Sequence, residues 1–241
     1  MWRSELSEKD IQALSRFRFG LVPGGLPFAD LLKPDELPGI LDRVIERTGA
    51  LNRRAGASLL IKRMSFYAVI HLYAMTALKK KVCADMNSIQ LVETDPSSSL
   101  WLPDFYFGSF LVEAEGGIRE NWRDGVLQHV FAETLYPLIA LLQKQTRLSE
   151  KIMWENIAVY VSWIYDEMMK SREVPLETAA KDRHYIFYEA AGDLFGTCEN
   201  NPLSSYANVD KARTTCCLSY MLKGKGKKKC ANCPLAGCNR K

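Results

Sequence analysis

The placement of the cysteines constrains this chain more than any other feature. Five of its seven cysteines fall in the last 26 of 241 residues: Cys216, Cys217, Cys230, Cys233 and Cys238. From residue 199 onwards the sequence is rich in Asn, Ser, Gly and Lys and poor in large apolar side chains. Such a segment buries too little apolar surface to be held by a hydrophobic core alone. The pattern therefore predicts that a metal centre holds it in place.

Four of these cysteines form two pairs that differ in their spacing. Cys216 and Cys217 are adjacent, and twelve residues separate them from Cys230-x-x-Cys233. Thiolates select zinc, Cu(I) or iron–sulfur centres. Structural zinc sites usually space the cysteines of each half-site by two to four residues, whereas adjacent cysteines point apart in an extended chain and converge only from a turn or a helix start. This favours a [2Fe–2S] cluster, which is wider than a single ion, with zinc and a metal-free segment as the alternatives.

The rest of the chain predicts an α+β, predominantly helical fold around a small antiparallel sheet. With 47% apolar and 25% charged residues, the composition is that of an ordinary globular protein. Apolar periodicity and end signals predict the following helices: 34–51, 53–81, 127–142 with a kink at Pro137, a helix N-capped by Ser149 and ended before Pro175, and 177–194 ended by Gly196. Two paired strands are predicted at 89–94 and 105–114. We expect a helical body over 1–198, with its sheet near 88–114, and an irregular [2Fe–2S]-binding segment over 199–241.

The distribution of apolar and charged residues predicts neither a secretory signal nor a transmembrane segment. The longest uncharged apolar run, residues 64–78, has 15 residues and contains His71, which is too short to span a bilayer. We therefore expect a cytoplasmic protein without a membrane span, in which the thiols stay reduced.

Charge is concentrated at the C-terminal end. Residues 211–241 hold nine Lys or Arg and no Asp or Glu, so the other residues carry 23 basic and 28 acidic groups, a net charge of −5. The run Lys223–Lys229 is interpreted either as a solvated loop or as a cationic contact for an anionic substrate or an acidic protein.

The cysteine motif resembles a known family. Thr215-Cys216-Cys217-Leu218-Ser219-Tyr220, followed by Cys230-x-x-Cys233-Pro234, resembles the C-terminal signature of FhuF-type ferric siderophore reductases. The family spacing is C-C-x10-C-x2-C, and the two extra residues here fall in the Gly/Lys run. The entropic cost of closing a loop grows slowly with its length, so two added residues need not disturb ligation. Trp154-Glu155-Asn156 is similar to a W-x-N helix of the family. The resemblance covers about the last 90 residues.

This resemblance implies a function and its cofactor. Cys216, Cys217, Cys230 and Cys233 would hold a [2Fe–2S] cluster that reduces an imported ferric siderophore, of hydroxamate or citrate type, and releases Fe(II) in the cytosol. Oxygen ligands grip Fe(III) far more tightly than Fe(II), so one electron suffices for release. Because no nicotinamide or flavin fingerprint is visible, the electron is expected from a protein such as a ferredoxin or flavodoxin.

A different class of protein also fits the cysteines and the basic tail. A zinc-stapled four-cysteine module could contact nucleic acid through its lysines, but the tail holds little Arg and no nucleic-acid signature, so we expect no nucleic-acid partner. A plain electron carrier would need far fewer than the 200 residues that precede the cysteines.

The sequence also suggests positions or roles for several other residues. Cys238 is a weak candidate for a fifth ligand, and Cys83 and Cys198 are expected to pack. His71, His129 and His184 are expected in the core or at the surface, and Trp154 in the core. Asn156, a polar residue on an apolar helix, is expected to hold the cysteine loop. Arg119, Arg123 and His129 are candidates to face an anionic ferric complex.

Overall fold

Helices build most of the fold, and short strands connect them. The structure is a computed structural model that describes residues 3–21, 23–95, 97, 100–197, 200–207, 213–222 and 232–235. The strands are β1 (Arg3–Ser4), β2 (Phe19–Gly20), β3 (Leu26–Pro27), β4 (Lys80–Ala84), β5 (Ile89–Val92), β6 (Asp104–Phe107) and β7 (Phe110–Ala114). The α-helices are α1 (Glu8–Ser15), α2 (Leu37–Thr48), α3 (Arg53–Leu78), α4 (Arg119–Leu127), α5 (Tyr136–Thr146), α6 (Glu150–Ser171) and α7 (Leu176–His184). The predicted α+β, predominantly helical class is confirmed.

The long helices α3 and α6 form the centre of the core and run in the same direction. Near their N-terminal ends, Asn156 of α6 donates to Ser58 Oγ of α3 at 3.0 Å. Further along both helices, the hydroxyls of Thr76 and Tyr165 lie 3.0 Å apart. The N-terminal halves of both helices therefore meet at one end of the molecule, where they support the cysteine segment.

The strands form two small sheets rather than one. Their strand orders are β1-β7-β4 and β2-β6-β5-β3. The predicted antiparallel pairing of the two strand regions is confirmed by β5 and β6, in which Leu91 lies opposite Phe105. The predicted strand 105–114 is divided at Gly108–Ser109, so that β6 and β7 belong to different sheets. Because β2 joins β6 in parallel, the second sheet is mixed and the purely antiparallel prediction was wrong.

The second predicted helix ends earlier than its apolar pattern indicates. It was predicted to reach Lys81, but α3 ends at Leu78, and Lys79 adopts a left-handed φ of 56°. The next five residues form β4, which pairs with β7 along its whole length. Non-local strand pairing here overrides the local helical pattern.

The helix predicted from residue 127 begins at Arg119 and runs without a break to Thr146. Residues 128–135 form a π-helical stretch directly before α5, which has Pro137 in its first turn. Widening of the preceding turns accommodates a proline ring, which clashes with the carbonyl four residues earlier in a regular α-helix. Among the described residues, this is the one helix long and apolar enough to cross a membrane, and half of its apolar window is buried within the protein.

The remaining predicted helices are found with changes at their ends. Ser149 occupies the N-cap position of α6, although its side chain makes no capping hydrogen bond. The predicted helix 177–194 breaks at Ala190, which is extended, and resumes as a 3-10 turn at Gly192–Phe195. Gly196 ends it as predicted, with φ of 80°, and a Cβ there would meet the Tyr136 ring at 2.6 Å.

Candidate metal centre

A buried glutamate on α6 holds the two residues that precede the adjacent cysteines. Glu155 is fully buried. Its carboxylate accepts the backbone N–H groups of Thr214 at 2.5 Å and Thr215 at 2.8 Å, together with the hydroxyls of both threonines. Arg213 adds a guanidinium at 3.3 Å. Burial alone would raise the pKa of Glu155, but these hydrogen bonds and the Arg213 charge lower the pKa below its ordinary value of 4.5, so the group is a carboxylate at neutral pH.

The adjacent Asn156 completes this support by joining the cysteine segment to α3. Its Oδ1 accepts from Arg213 at 2.7 Å, and its Nδ2 donates to Ser58 Oγ at 3.0 Å. Ser58 in turn donates its hydroxyl to the Cys217 carbonyl at 2.8 Å. The prediction that Asn156 holds the cysteine loop is confirmed, and the amide is satisfied at both ends, as a buried polar group requires.

Three of the four predicted ligands lie in the described residues, and Cys216 interacts with both Cys217 and Cys233. Within the described residues, no group of three or more His, Cys, Asp or Glu side chains is arranged as a metal site. Cys217 and Cys233 are buried, and Cys216 is half-buried. Burial raises the pKa of Cys216, and the neighbouring sulfurs of Cys233 and Cys217 raise it further. Arg213 also ties the second pair to the first, because its backbone N–H donates to the Asn232 carbonyl at 3.2 Å. Cys230 lies outside the described residues.

The backbone after Cys217 explains how adjacent cysteines can face one centre. Leu218 adopts a left-handed φ of 58°, and a 3-10 turn follows at Ser219–Met221. A residue with positive φ is typical of a turn. The pair thus sits at a turn that leads into a helical segment, which is the geometry that its spacing predicted.

A lysine of α3 places a positive charge beside Cys217. Lys62 donates to the Ser219 hydroxyl at 2.7 Å, and that hydroxyl lies 3.1 Å from Cys217 Sγ. Burial raises the pKa of the Cys217 thiol, but the charge of Lys62 and hydrogen bonds from Ser219 and Lys62 outweigh it and lower the pKa to about 6. The environment thus favours the thiolate, which is the form that binds a metal.

These residues fit an iron–sulfur cluster. The candidate donors among the described residues are cysteine sulfurs, which are the usual ligands of [2Fe–2S] clusters. A cluster with four thiolates, two Fe(III) and two sulfides has a net charge of −2, which the Lys62 ammonium beside Cys217 would partly offset. Cys230 would complete the set of four sulfurs.

Comparison with known families agrees with this geometry. The family described as ferric iron reductase FhuF-like transporter matches residues 99–214. The FhuF 2Fe-2S C-terminal domain matches residues 213–235, so the two matches together span more than half of the chain. The chain belongs to the FhuF-type family. No curated protein matches the sequence.

Membership of the FhuF-type family establishes the cofactor as a [2Fe–2S] cluster. The zinc-stapled alternative is thereby set aside. The family description supports a ferric reductase connected with siderophore iron acquisition. The division between a body over 1–198 and a cluster segment over 199–241 stays a prediction.

The structure describes several of the other residues that the sequence singled out. Trp154 is a core residue, with Phe131 and Phe195 around its ring. His71 is buried, whereas His184 is exposed and pairs with Glu189 at 3.2 Å. His129 contacts the Tyr67 hydroxyl at 3.0 Å. Cys83 lies in β4, opposite Leu111. Cys198, Cys238 and the run Lys223–Lys229 lie outside the described residues.

The arginines proposed to face a ferric complex are already neutralised. Arg119 makes a bidentate contact with the buried Asp182 at 2.9 and 2.8 Å. Arg123 lies 3.5 Å from the same carboxylate, and its guanidinium stacks 3.3 Å above the Tyr185 ring. The pair stabilises the packing of α4 against α7, so the anion-binding expectation for it is not supported.

Sequence reasoning missed three supporting residues: Glu155, Arg213 and Lys62. A signal existed for Glu155, because a charge between Trp154 and Asn156 interrupts the apolar part of α6 and must find a partner when buried. Arg213 lies three residues before Cys216 and is the natural cation for that partner. The position of Lys62 depends on how α3 docks, which its own sequence does not reveal.

We expect each cysteine of the proposed set to be required for the cluster. Cys216→Ser, Cys217→Ser, Cys230→Ser and Cys233→Ser should each lose most of the visible absorption, because a hydroxyl is a poor substitute for a soft thiolate. Analysis of anaerobically purified wild type should give about two iron and two sulfide per chain. Cys83→Ser, Cys198→Ser and Cys238→Ser serve as controls and should keep the spectrum. A colourless Cys238 variant beside a normal Cys216 variant would overturn the assignment.

Removing the Glu155 charge should release the cysteine segment. In Glu155→Gln one oxygen becomes an NH2 group that cannot accept the threonine donors, and breaking a buried ion pair costs about 3–5 kcal/mol. We expect most of the bound iron to be lost while far-ultraviolet circular dichroism keeps the helical signal of the body. Glu167→Gln, on the exposed side of α6, is the matched control. Iron content equal to wild type in Glu155→Gln would contradict the assigned role.

Lys62 should raise the reduction potential of the cluster. Reduction adds one negative charge, which the ammonium group beside Cys217 stabilises. Lys62→Gln should therefore lower the midpoint potential by tens of millivolts, where about 59 mV corresponds to a tenfold change in a one-electron equilibrium. Lys9→Gln, at an exposed position of α1, removes the same charge elsewhere and should leave the midpoint unchanged. If Lys62→Gln and Lys9→Gln have the same midpoint potential, Lys62 does not raise the potential of the cluster.

Proposed function

We propose that this protein is a cytoplasmic ferric siderophore reductase. Cys216, Cys217, Cys230 and Cys233 hold the [2Fe–2S] cluster, and the reaction is a one-electron reduction of an imported Fe(III)-siderophore that releases Fe(II). The observation that carries the proposal is the proximity of Cys216 to Cys217 and Cys233, with Lys62 beside Cys217, in a member of a ferric iron reductase family.

The chemistry divides between the cofactor and the chain. When bound, the cluster supplies a one-electron carrier. The chain contributes a fixed frame, because Glu155 and Asn156 hold the first cysteine pair from α6 while Ser58 holds it from α3. Lys62 places a positive charge beside Cys217, which would favour electron uptake by a bound cluster, whereas Arg213 is paired with Glu155.

The electron balance requires a donor outside this chain. One electron enters from a protein such as a ferredoxin or flavodoxin, and one leaves to Fe(III), which becomes Fe(II). Oxygen ligands hold Fe(II) weakly, so the metal departs from the siderophore without cleavage of the ligand. A hydroxamate or a citrate-type complex fits this scheme equally.

A single-turnover experiment tests the function directly. The protein is reduced chemically, freed of excess reductant and mixed anaerobically with a ferric siderophore and a ferrous chelator. We expect one Fe(II) to appear per reduced cluster, at the rate at which the oxidised absorption returns, because each cluster holds one transferable electron. Cys217→Ser should show neither change. A wild-type cluster that stays reduced in the presence of several ferric siderophores would refute the proposed reaction.

A further inference from the structure

A cleft of about 660 Å³ opens between α2, β3 and the end of β5. Its walls include the buried apolar side chains of Ile40, Val44 and Leu91, with Trp101 on one side. Gly25, with φ of 104°, lies so close to the Leu91 carbonyl that a Cβ would approach its oxygen to 2.1 Å. The size is that of pockets that enclose small-molecule ligands.

Among the described residues, the acidic groups that line the cleft are paired, whereas the cation Arg43 is unmatched. Asp30 pairs with Lys33 at 2.7 Å, and Glu93 pairs with Arg47 at 3.2 Å while accepting the Trp101 indole N–H. Arg43 lines the cleft from α2 and is exposed. Its guanidinium makes no hydrogen bond or ion pair with any residue that the structure describes. Another cavity, of about 230 Å³, differs because its arginine, Arg16, is fully engaged by Glu173.

Trp101 is held in a strained conformation at the edge of the cleft. Its φ is 44°, which is costly for a bulky residue. Arg63 of α3 maintains this conformation by donating to the carbonyls of Leu100 and Trp101, both at 3.0 Å. The ring is therefore fixed in place before any ligand arrives.

Two sets of contacts connect this cleft with the cysteines. Arg63, which holds Trp101, follows Lys62 in α3, and Lys62 reaches Cys217 through Ser219. On the other wall, α2 ends at Thr48, and the backbone N–H of Leu51 donates to the Met221 carbonyl at 3.0 Å. Helix α3 thus contacts both Trp101 at the cleft and the cysteine segment. The cysteine segment also contacts the residues that follow α2.

We propose that this cleft binds the ferric complex and that Arg43 makes it selective for anionic, carboxylate-bearing complexes. A guanidinium matches a carboxylate with two parallel hydrogen bonds, and the half-buried Leu26 and the exposed Pro27 offer apolar surface to the organic part of the ligand. The proposal rests on the proposed function, since it names the substrate class and the binding site for that reaction.

Binding is tested with redox-inert probes, so that it is measured apart from electron transfer. The probes are the Ga(III) complex of a citrate-based dihydroxamate siderophore, which is anionic, and the Ga(III) complex of a cyclic trihydroxamate, which is neutral. Titration calorimetry with the cluster-loaded protein should show the anionic complex binding more tightly. Arg43→Gln should weaken it by about tenfold or more and change the neutral complex by less than about twofold.

Two further variants identify the cause of any loss. Arg43→Lys keeps the charge without the planar fork and should retain part of the preference. Arg172→Gln removes an exposed arginine at the far end of α6 and should change neither affinity. Full anionic affinity in Arg43→Gln, or equal loss for both probes, overturns the proposal.

The outcome also separates this proposal from the proposed function. If wild type binds neither gallium complex but still reduces ferric siderophores in single turnover, the cleft assignment is wrong and the function stands. If it neither binds nor reduces them, both are wrong.

Discussion

The arrangement around the cysteines depends on one buried carboxylate. Without a partner, the fully buried Glu155 would be severely destabilising, and its partners are the backbone and hydroxyls of Thr214 and Thr215 with the Arg213 guanidinium. The C-terminal segment supplies few apolar side chains for packing, so this network performs the task that a hydrophobic core performs elsewhere. Docking of the segment and burial of the charge are therefore one event, and neither is stable without the other.

The parallel course of α3 and α6 explains why one end of the molecule carries the chemistry. Glu155 and Asn156 lie in the second turn of α6, and Ser58 lies in the second turn of α3. These positions reach the same segment because both helices begin at this end. One turn further along α3, Lys62 continues the contact toward Cys217 and Arg63 fixes Trp101. A single helix thus sets the relative positions of the cysteines and the cleft.

The sequence predicted those features that local pattern determines. Apolar periodicity located the central helices, and the adjacent Cys216–Cys217 pair indicated a turn, which Leu218 supplies with its left-handed backbone. The end of α3 was misplaced because β4 is defined by its pairing with β7, some thirty residues away along the chain. The role of Lys62 and the unmatched charge of Arg43 were beyond prediction for the same reason, since both depend on which distant elements pack beside them. For Glu155, the sequence around it on α6 indicated burial. Its partners could not be predicted, because they come from a distant part of the chain.

Two cations act on opposite ends of the proposed electron transfer. Lys62 stabilises the negative charge that arrives at the cysteine centre on reduction, which raises the potential of the donor and opposes its discharge. Arg43 stabilises the negative charge that arrives on the ferric complex, which raises the potential of the acceptor and favours its reduction. The driving force depends on the difference between these effects rather than on either alone. Arg43 is exposed and Lys62 is partly buried, so salt screens the acceptor side more strongly. If a bound ferric complex excludes water from Arg43, salt screens the guanidinium less. The reduction potential of the bound complex is then higher, and its reduction is more favourable.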